Sequence, residues 1–181
     1  MRIGLFRSSW FFLQFGNQVA SLRCTQRLLR RLKKKPDLSL DASPRRLGDW
    51  YANLLNAGSN RLVIAVSEHS LLTVVVPIRD PAQLRERIRE AVHGMLYSIG
   101  VPPAHAAQEV RGLDSMPFGK TANRSVVASM NDFTIRLKDD VWDSGGGVHA
   151  EYLQFRIGEM PCAPIGFNTP IEKTLEIFER M

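Results

Sequence analysis

At 181 residues, with 44% apolar and 23% charged side chains, the chain has the size and composition of one globular domain, which excludes a disordered chain, a collagen-like repeat or a membrane bundle. Its net charge of +6 is uneven: residues 22–46 hold nine basic side chains against Asp37 and Asp41, whereas residues 47–181 hold thirteen basic against sixteen acidic. A basic segment on a slightly acidic body is either a patch for phosphates and acidic partners or a solvated face.

Residues 1–20 imitate a signal peptide, with Arg2 before an apolar centre at Trp10-Phe11-Phe12-Leu13. Arg7 interrupts the apolar run, which falls short of the roughly 20 residues a membrane span needs. The segment is therefore expected to be an apolar extension or residues added by an upstream start codon, ahead of a single α+β domain over 21–181 in the cytoplasm. Ser21–Thr25 reads as a strand. A helix over Gln26–Lys35 follows, capped by Thr25 and stopped by Pro36, with Leu28, Leu29 and Leu32 inward and Arg27, Arg30, Arg31 and Lys34 outward. Ser43-Pro44 opens a second predicted helix, because Leu47, Trp50, Tyr51, Leu54 and Leu55 recur at helical spacing before Gly58. That spacing makes Trp50 and Tyr51 core residues rather than platforms for stacked bases.

Arg61–Ser67 and Leu71–Ile78 form a predicted antiparallel hairpin, and their near-continuous Val and Ile content implies helices on both faces. The fold class is α+β, a small antiparallel sheet made of this hairpin and the strand near 21–25, packed with several helices. Asp80-Pro81 opens a long helix to Ser98, Pro102-Pro103 a short one to about Gly112, and 114–119 is a loop. From Thr121 the apolar spacing of Val126, Met130, Phe133 and Leu137 is helical, although Phe133, Ile135 and Leu137 also alternate as a strand would. Gly145–Gly147 is a loop, 148–159 is helical, and Pro170 starts a terminal helix with Ile171, Leu175 and Phe178 inward.

The segment from Lys120 to Phe133 concentrates hydrogen-bonding side chains. On a helix, Ser125, Ser129 and Asp132 share one flank and Arg124 and Asn131 another, which suits phosphate binding or an Asp base beside a serine nucleophile. Small polar residues on a helix flank more often serve close packing. Gly119-Lys120-Thr121 matches the end of a phosphate-binding loop, but Asp114 stands where its first glycine belongs. Cys24 and Cys162 are isolated, reduced thiols, and the four histidines never fall at metal-ligand spacing. No metal and no cofactor is expected.

Three stretches, Leu22-Arg23-Cys24-Thr25-Gln26, Leu47-Gly48-Asp49-Trp50-Tyr51-Ala52-Asn53-Leu54 and Lys120-Thr121-Ala122-Asn123-Arg124-Ser125-Val126 continuing to Ser129-Met130-Asn131-Asp132, resemble an uncharacterised bacterial family known as a domain of unknown function. Ala128 stands where that family's pattern carries Gly. The resemblance begins near residue 22, favours the upstream-start reading of residues 1–20, and implies a compact cytoplasmic domain without specifying a reaction.

Three functions remain open at this point. The first is a nucleic-acid or phosphate-binding module using Arg27, Arg30, Arg31, Lys34, Lys120, Arg124 and Asn131. The second is a hydrolase or transferase with Ser125, Ser129 and Asp132 as candidate catalytic residues. The third is an accessory that meets an acidic protein through the basic helix. The expected partners are therefore nucleic acid or an acidic protein, and not a membrane.

Overall fold

In the computed structural model, residues 19–57, 60–78, 80–143 and 149–180 are described. The expected N-terminal extension up to residue 18, Gly58 and the Gly145–Gly147 loop lie outside them. Five strands among the described residues, β1 (Leu22–Cys24), β2 (Trp50–Ala57), β3 (Asn60–Ser67), β4 (Thr73–Pro77) and β5 (Phe118–Lys120), form one sheet in the order β4-β3-β2-β1-β5. β2, β3 and β4 are antiparallel neighbours, and the β3–β4 pair is the hairpin read from the sequence. β1 runs parallel to both β2 and β5.

The sheet is thus mixed, which corrects the purely antiparallel arrangement expected from the sequence. Parallel neighbours need long crossover connections, and the helices supply them. Residues between β1 and β2 include α1 (Gln26–Leu32), and those between β4 and β5 include α2 (Leu84–Ser98) and α3 (Pro103–Arg111). After β5 come α4 (Arg124–Asp143), α5 (Ala150–Gly158) and α6 (Pro170–Glu179). The ambiguous stretch after Thr121 is helix.

Apolar side chains on both faces of the sheet hold two helical layers. Trp50, Ala52, Val63, Ala65, Val74 and Val76 point to one cluster, which takes its remaining residues chiefly from α1, α2, α3 and α6. Tyr51, Leu55, Leu62, Ile64, Val66 and Val75 point to the other, built with α4 and α5. This alternation with both sides filled explains the unbroken Val and Ile runs.

The same double burial explains the predicted helix over 43–58, which the structure replaces with β2. Every position from Trp50 to Leu55 except Asn53 is buried, so an apolar pattern that matched helical spacing belongs to a strand covered on both sides, with Trp50 and Tyr51 on opposite faces. Ser43 does accept a hydrogen bond from the Arg45 amide, at 3.1 Å, but the turn it starts is brief. Gly48 ends that turn at φ +74° and directs the chain into β2. The loop expected over 114–119 contains the start of β5, a three-residue strand too short to show periodicity.

Caps follow the sequence more closely. Thr25 Oγ1 accepts from the Leu28 amide, although α1 stops at Leu32 and Lys33 closes it in a left-handed conformation, three residues ahead of the proline. Thr169 and Glu172 form a reciprocal capping box at the start of α6. Buried Ser67, Ser70 and Thr174 join hydroxyls at 2.8 and 2.9 Å, tying α6 to the β3–β4 turn.

A Cβ at position 48 would stand 2.8 Å from Glu68 Cβ and 3.0 Å from His69 Nε2, on a backbone that L-residues rarely adopt. Gly48→Ala is expected to destabilise the fold by about 1–3 kcal/mol, read as a lowered urea midpoint with unchanged slope. An unchanged midpoint would show that this turn does not position β2.

Candidate functional site

β1 and β5 are adjacent and parallel, yet the chain leaves them in opposite directions. After β1 it enters α1, whose leucines pack on the first cluster, and after β5 it enters α4, which packs on the second. Two parallel strands followed by helices on opposite faces leave a crevice outside their carboxyl ends, the place where open sheets bind ligands. A cleft of about 500 Å3 lies there. Its apolar base is formed by Cys24, Leu29 and Pro36, and Gln26 and Thr121 contribute to its walls. Arg30, Lys33, Lys34, Lys35 and Lys120 also line it, all of them exposed, and no carboxylate does.

The amphipathic reading of α1 holds. Leu28, Leu29 and Leu32 are buried, while Arg27, Arg30, Arg31 and Lys34 are exposed. Among the described residues none of these four cations, nor Lys33, Lys35, Lys120 or Arg124, takes part in an ion pair with the protein's own carboxylates. The one acidic side chain just past Lys35 is already engaged: Asp37 accepts from the Ser39 amide and hydroxyl, which holds its carboxyl below the usual range.

Of the residues singled out in the sequence, Arg30, Lys34 and Lys120 meet at the cleft. Arg27 and Arg31 extend the positive face of α1 beyond it. Arg124 and Asn131 lie on α4, exposed and outside the cleft lining. Ser125 and Asp132 are exposed and Ser129 is buried, and no hydrogen bond joins the three to one another. Ser125 instead offers its backbone amide to Asn123 Oδ1 at 3.1 Å, as part of the cap of α4. A serine nucleophile needs a base within hydrogen-bond reach, and among the described residues neither serine is hydrogen-bonded to one.

What the sequence reading missed is the polar scaffold that joins β1, β2 and the cap of α4. Asp49, fully buried, accepts from the Ser21 amide at 2.8 Å and from Arg23 Nε at 2.5 Å, joining the starts of β1 and β2. Glu68 Oε1 accepts from the Tyr51 hydroxyl at 3.3 Å and from Asn123 Nδ2 at 3.2 Å. The Tyr51 oxygen in turn accepts from the Asn123 amide at 3.2 Å, so the cap of α4 is pinned to β2 and to the β3–β4 turn. Burial raises the Tyr51 hydroxyl above its ordinary range, against the pull of the Asn123 bond. Each of Arg23, Asp49, Tyr51 and Asn123 stands inside one of the three stretches that carried the resemblance. That shared location was the available signal.

Two other hollows are less suited to anions. One of about 700 Å3 runs along the outer edge of β4, where Glu86, Glu90 and Glu151 outnumber Arg87. Another of about 100 Å3 contains the pair Arg45 and Glu109, whose carboxyl is raised by burial despite Arg45 at 3.5 Å. Among the described residues no group of His, Cys, Asp and Glu is placed to hold a metal, and no helix is long and apolar enough to cross a membrane.

Residues 21–173 match the model of a family described as a domain of unknown function, DUF6933. The chain belongs to that family. The match begins where β1 begins and takes in the cleft and all of the polar scaffold. No curated protein and no solved structure matches the chain.

Asp49→Ala would leave Arg23 without its buried partner and the Ser21 amide unsatisfied, and is expected to destabilise the fold by about 3–5 kcal/mol in urea titration. Cys24 forms part of the cleft base, and burial pushes its thiol up to about 12. Thiol-specific labelling at neutral pH is therefore expected to be slow in the native protein and fast in denaturant, and rapid native labelling of Cys24 would contradict the burial that forms the base.

Proposed function

We propose that this domain binds nucleic acid through its phosphate backbone, using the exposed face of α1 and the adjoining cleft. The carrying observation is the run of cations Arg27, Arg30, Arg31, Lys33, Lys34 and Lys35, backed by buried leucines and left without carboxylate partners, together with Lys120 at the cleft. Cations held close to one another repel, and a polyanion relieves that repulsion while releasing its own counterions. Arg27, Arg30 and Arg31 share the exposed side of α1 and exposed Lys34 follows just past its end, which suits contact with successive phosphates. Nothing in this arrangement reads base edges, so the binding is independent of sequence in its electrostatic part.

The reading is tested by fluorescence anisotropy with a labelled oligonucleotide across a salt series. Affinity is expected to fall steeply as salt rises, and the variant with Arg27, Arg30, Arg31 and Lys34 all replaced by Ala is expected to flatten the log–log slope by about 3. Its urea midpoint should stay near that of the parent, since these side chains are exposed and unpaired. Absence of binding at low salt would overturn the reading.

A further inference from the structure

We infer that the cleft between β1 and β5 receives one nucleotide unit, its phosphate among the ammonium groups of Lys33, Lys34, Lys35 and Lys120 and its base against Pro36 and the methylene stems of the surrounding lysines. The inference rests on the proposed nucleic-acid reading and gives it a substrate preference: unpaired over paired strands.

Three observations lead to it. First, a volume of about 500 Å3 falls in the range of small-ligand sites and exceeds what a phosphate group alone fills. Second, the cleft has two chemistries. Half-buried Pro36 and the methylene stems of the lysines offer carbon above the buried Cys24 and Leu29, while the exposed ends of the cations offer charge-assisted hydrogen bonds to phosphate oxygens. A ligand carrying only charge leaves the apolar base uncovered, and an apolar ligand leaves five cations unmatched. A nucleotide satisfies both. Third, the cleft is continuous with the positive face of α1 through Arg30, so a strand following Arg27 and Arg31 reaches it. Bases inside a duplex are stacked and paired and have no access to such a recess, whereas bases of a single strand do.

The test leaves the charges untouched. Gln26 is exposed at the first position of α1 and contributes to the cleft wall, as does Thr121 on the opposite side. Gln26→Trp and, separately, Thr121→Phe fill the recess with no change of net charge, and each is checked by its urea midpoint. In the full chain, a short single strand is expected to bind about tenfold tighter than the duplex of the same sequence at matched salt, the order contributed by one accommodated base. Both substitutions are expected to remove that ratio by weakening the single strand to the affinity of the duplex.

Equal affinity for both forms in the parent chain, or a ratio that survives both substitutions, would overturn the inference while leaving backbone binding intact. Competition supplies the second arm. Adenosine monophosphate is expected to displace the single strand at concentrations where inorganic phosphate does not, and equal displacement by inorganic phosphate would remove the role of the apolar base. If no strand binds at low salt but adenosine monophosphate shifts the amide resonances of Lys120 and Thr121, the nucleotide site stands as one for free nucleotides and the nucleic-acid reading falls.

Discussion

The buried carboxylate of Asp49 is the contact on which the rest of the structure turns. β1 has three residues, too few to hold a place in the middle of a sheet by backbone pairing alone, yet it separates β2 from β5. Asp49 fixes it there by taking hydrogen bonds from the Ser21 amide and the Arg23 guanidinium. Arg23 then reaches across to the carbonyls of Lys120, Leu40 and Asp41, at 3.3 to 3.5 Å. One ion pair therefore links β1, β2, β5 and the segment after α1. A charged pair withdrawn from water offers little net stability over an apolar substitute, but it tolerates only one geometry. Here that geometry places the carboxyl ends of β1 and β5 side by side.

From that placement the electrostatics follow. The protein spends its carboxylates elsewhere: Glu109 pairs with Arg45, Glu86 and Asp114 pair with Arg89, Glu176 pairs with Lys173 and Arg180, and Asp140 pairs with Arg156. None of these acids lies near α1 along the chain. The cations of α1 and of the segment to Lys35 repel one another within a screening length of about 8–10 Å, so this face concentrates positive charge. Leu28, Leu29 and Leu32 anchor the helix against that repulsion. The arrangement separates the two tasks of a short helix, with apolar burial on one side supporting uncompensated charge on the other.

How much of this could be read from the sequence depended on whether a signal was local. The leucine and cation faces of α1, the Thr25 cap, the β3–β4 hairpin, and the helices opening at Pro103 and Pro170 were all legible, because spacing and capping residues lie within a few positions of one another. β2 was not. A strand buried on both faces loses the alternation that marks strands, and Leu47, Trp50, Tyr51, Leu54 and Leu55 then match a helix by coincidence. β5 was too short for any period. The cleft itself was half legible: its cations near α1 were visible as a charge run, but their meeting with Lys120 depends on parallel pairing across more than eighty residues of intervening chain. The scaffold of Asp49, Tyr51, Glu68 and Asn123 is likewise non-local, and it put the polar residues ahead of α4 to work as a cap, while Ser125, Ser129 and Asp132 remained unconnected.

Both edges of the sheet are partly occupied, and this bears on how the domain can meet a partner. On the β4 side, Gln154 Oε1 takes the Val75 amide at 3.0 Å, Pro77 has no amide to give, and its carbonyl accepts from Arg87 at 3.4 Å. On the β5 side, the Asp37 amide donates to the Phe118 carbonyl at 2.7 Å and Asp37 bridges to Gly119. Recognition by added strands, the simplest use of an open sheet, is thereby hindered at each edge. The bridge at Asp37 has a second effect. It folds the chain after Pro36 back onto β5, which holds Lys33, Lys34 and Lys35 beside Lys120 instead of letting them extend into solvent. Protection of an edge and assembly of the cationic cleft are the same backbone contact, so a change that frees residue 37 from β5 opens the sheet and disperses the charge together.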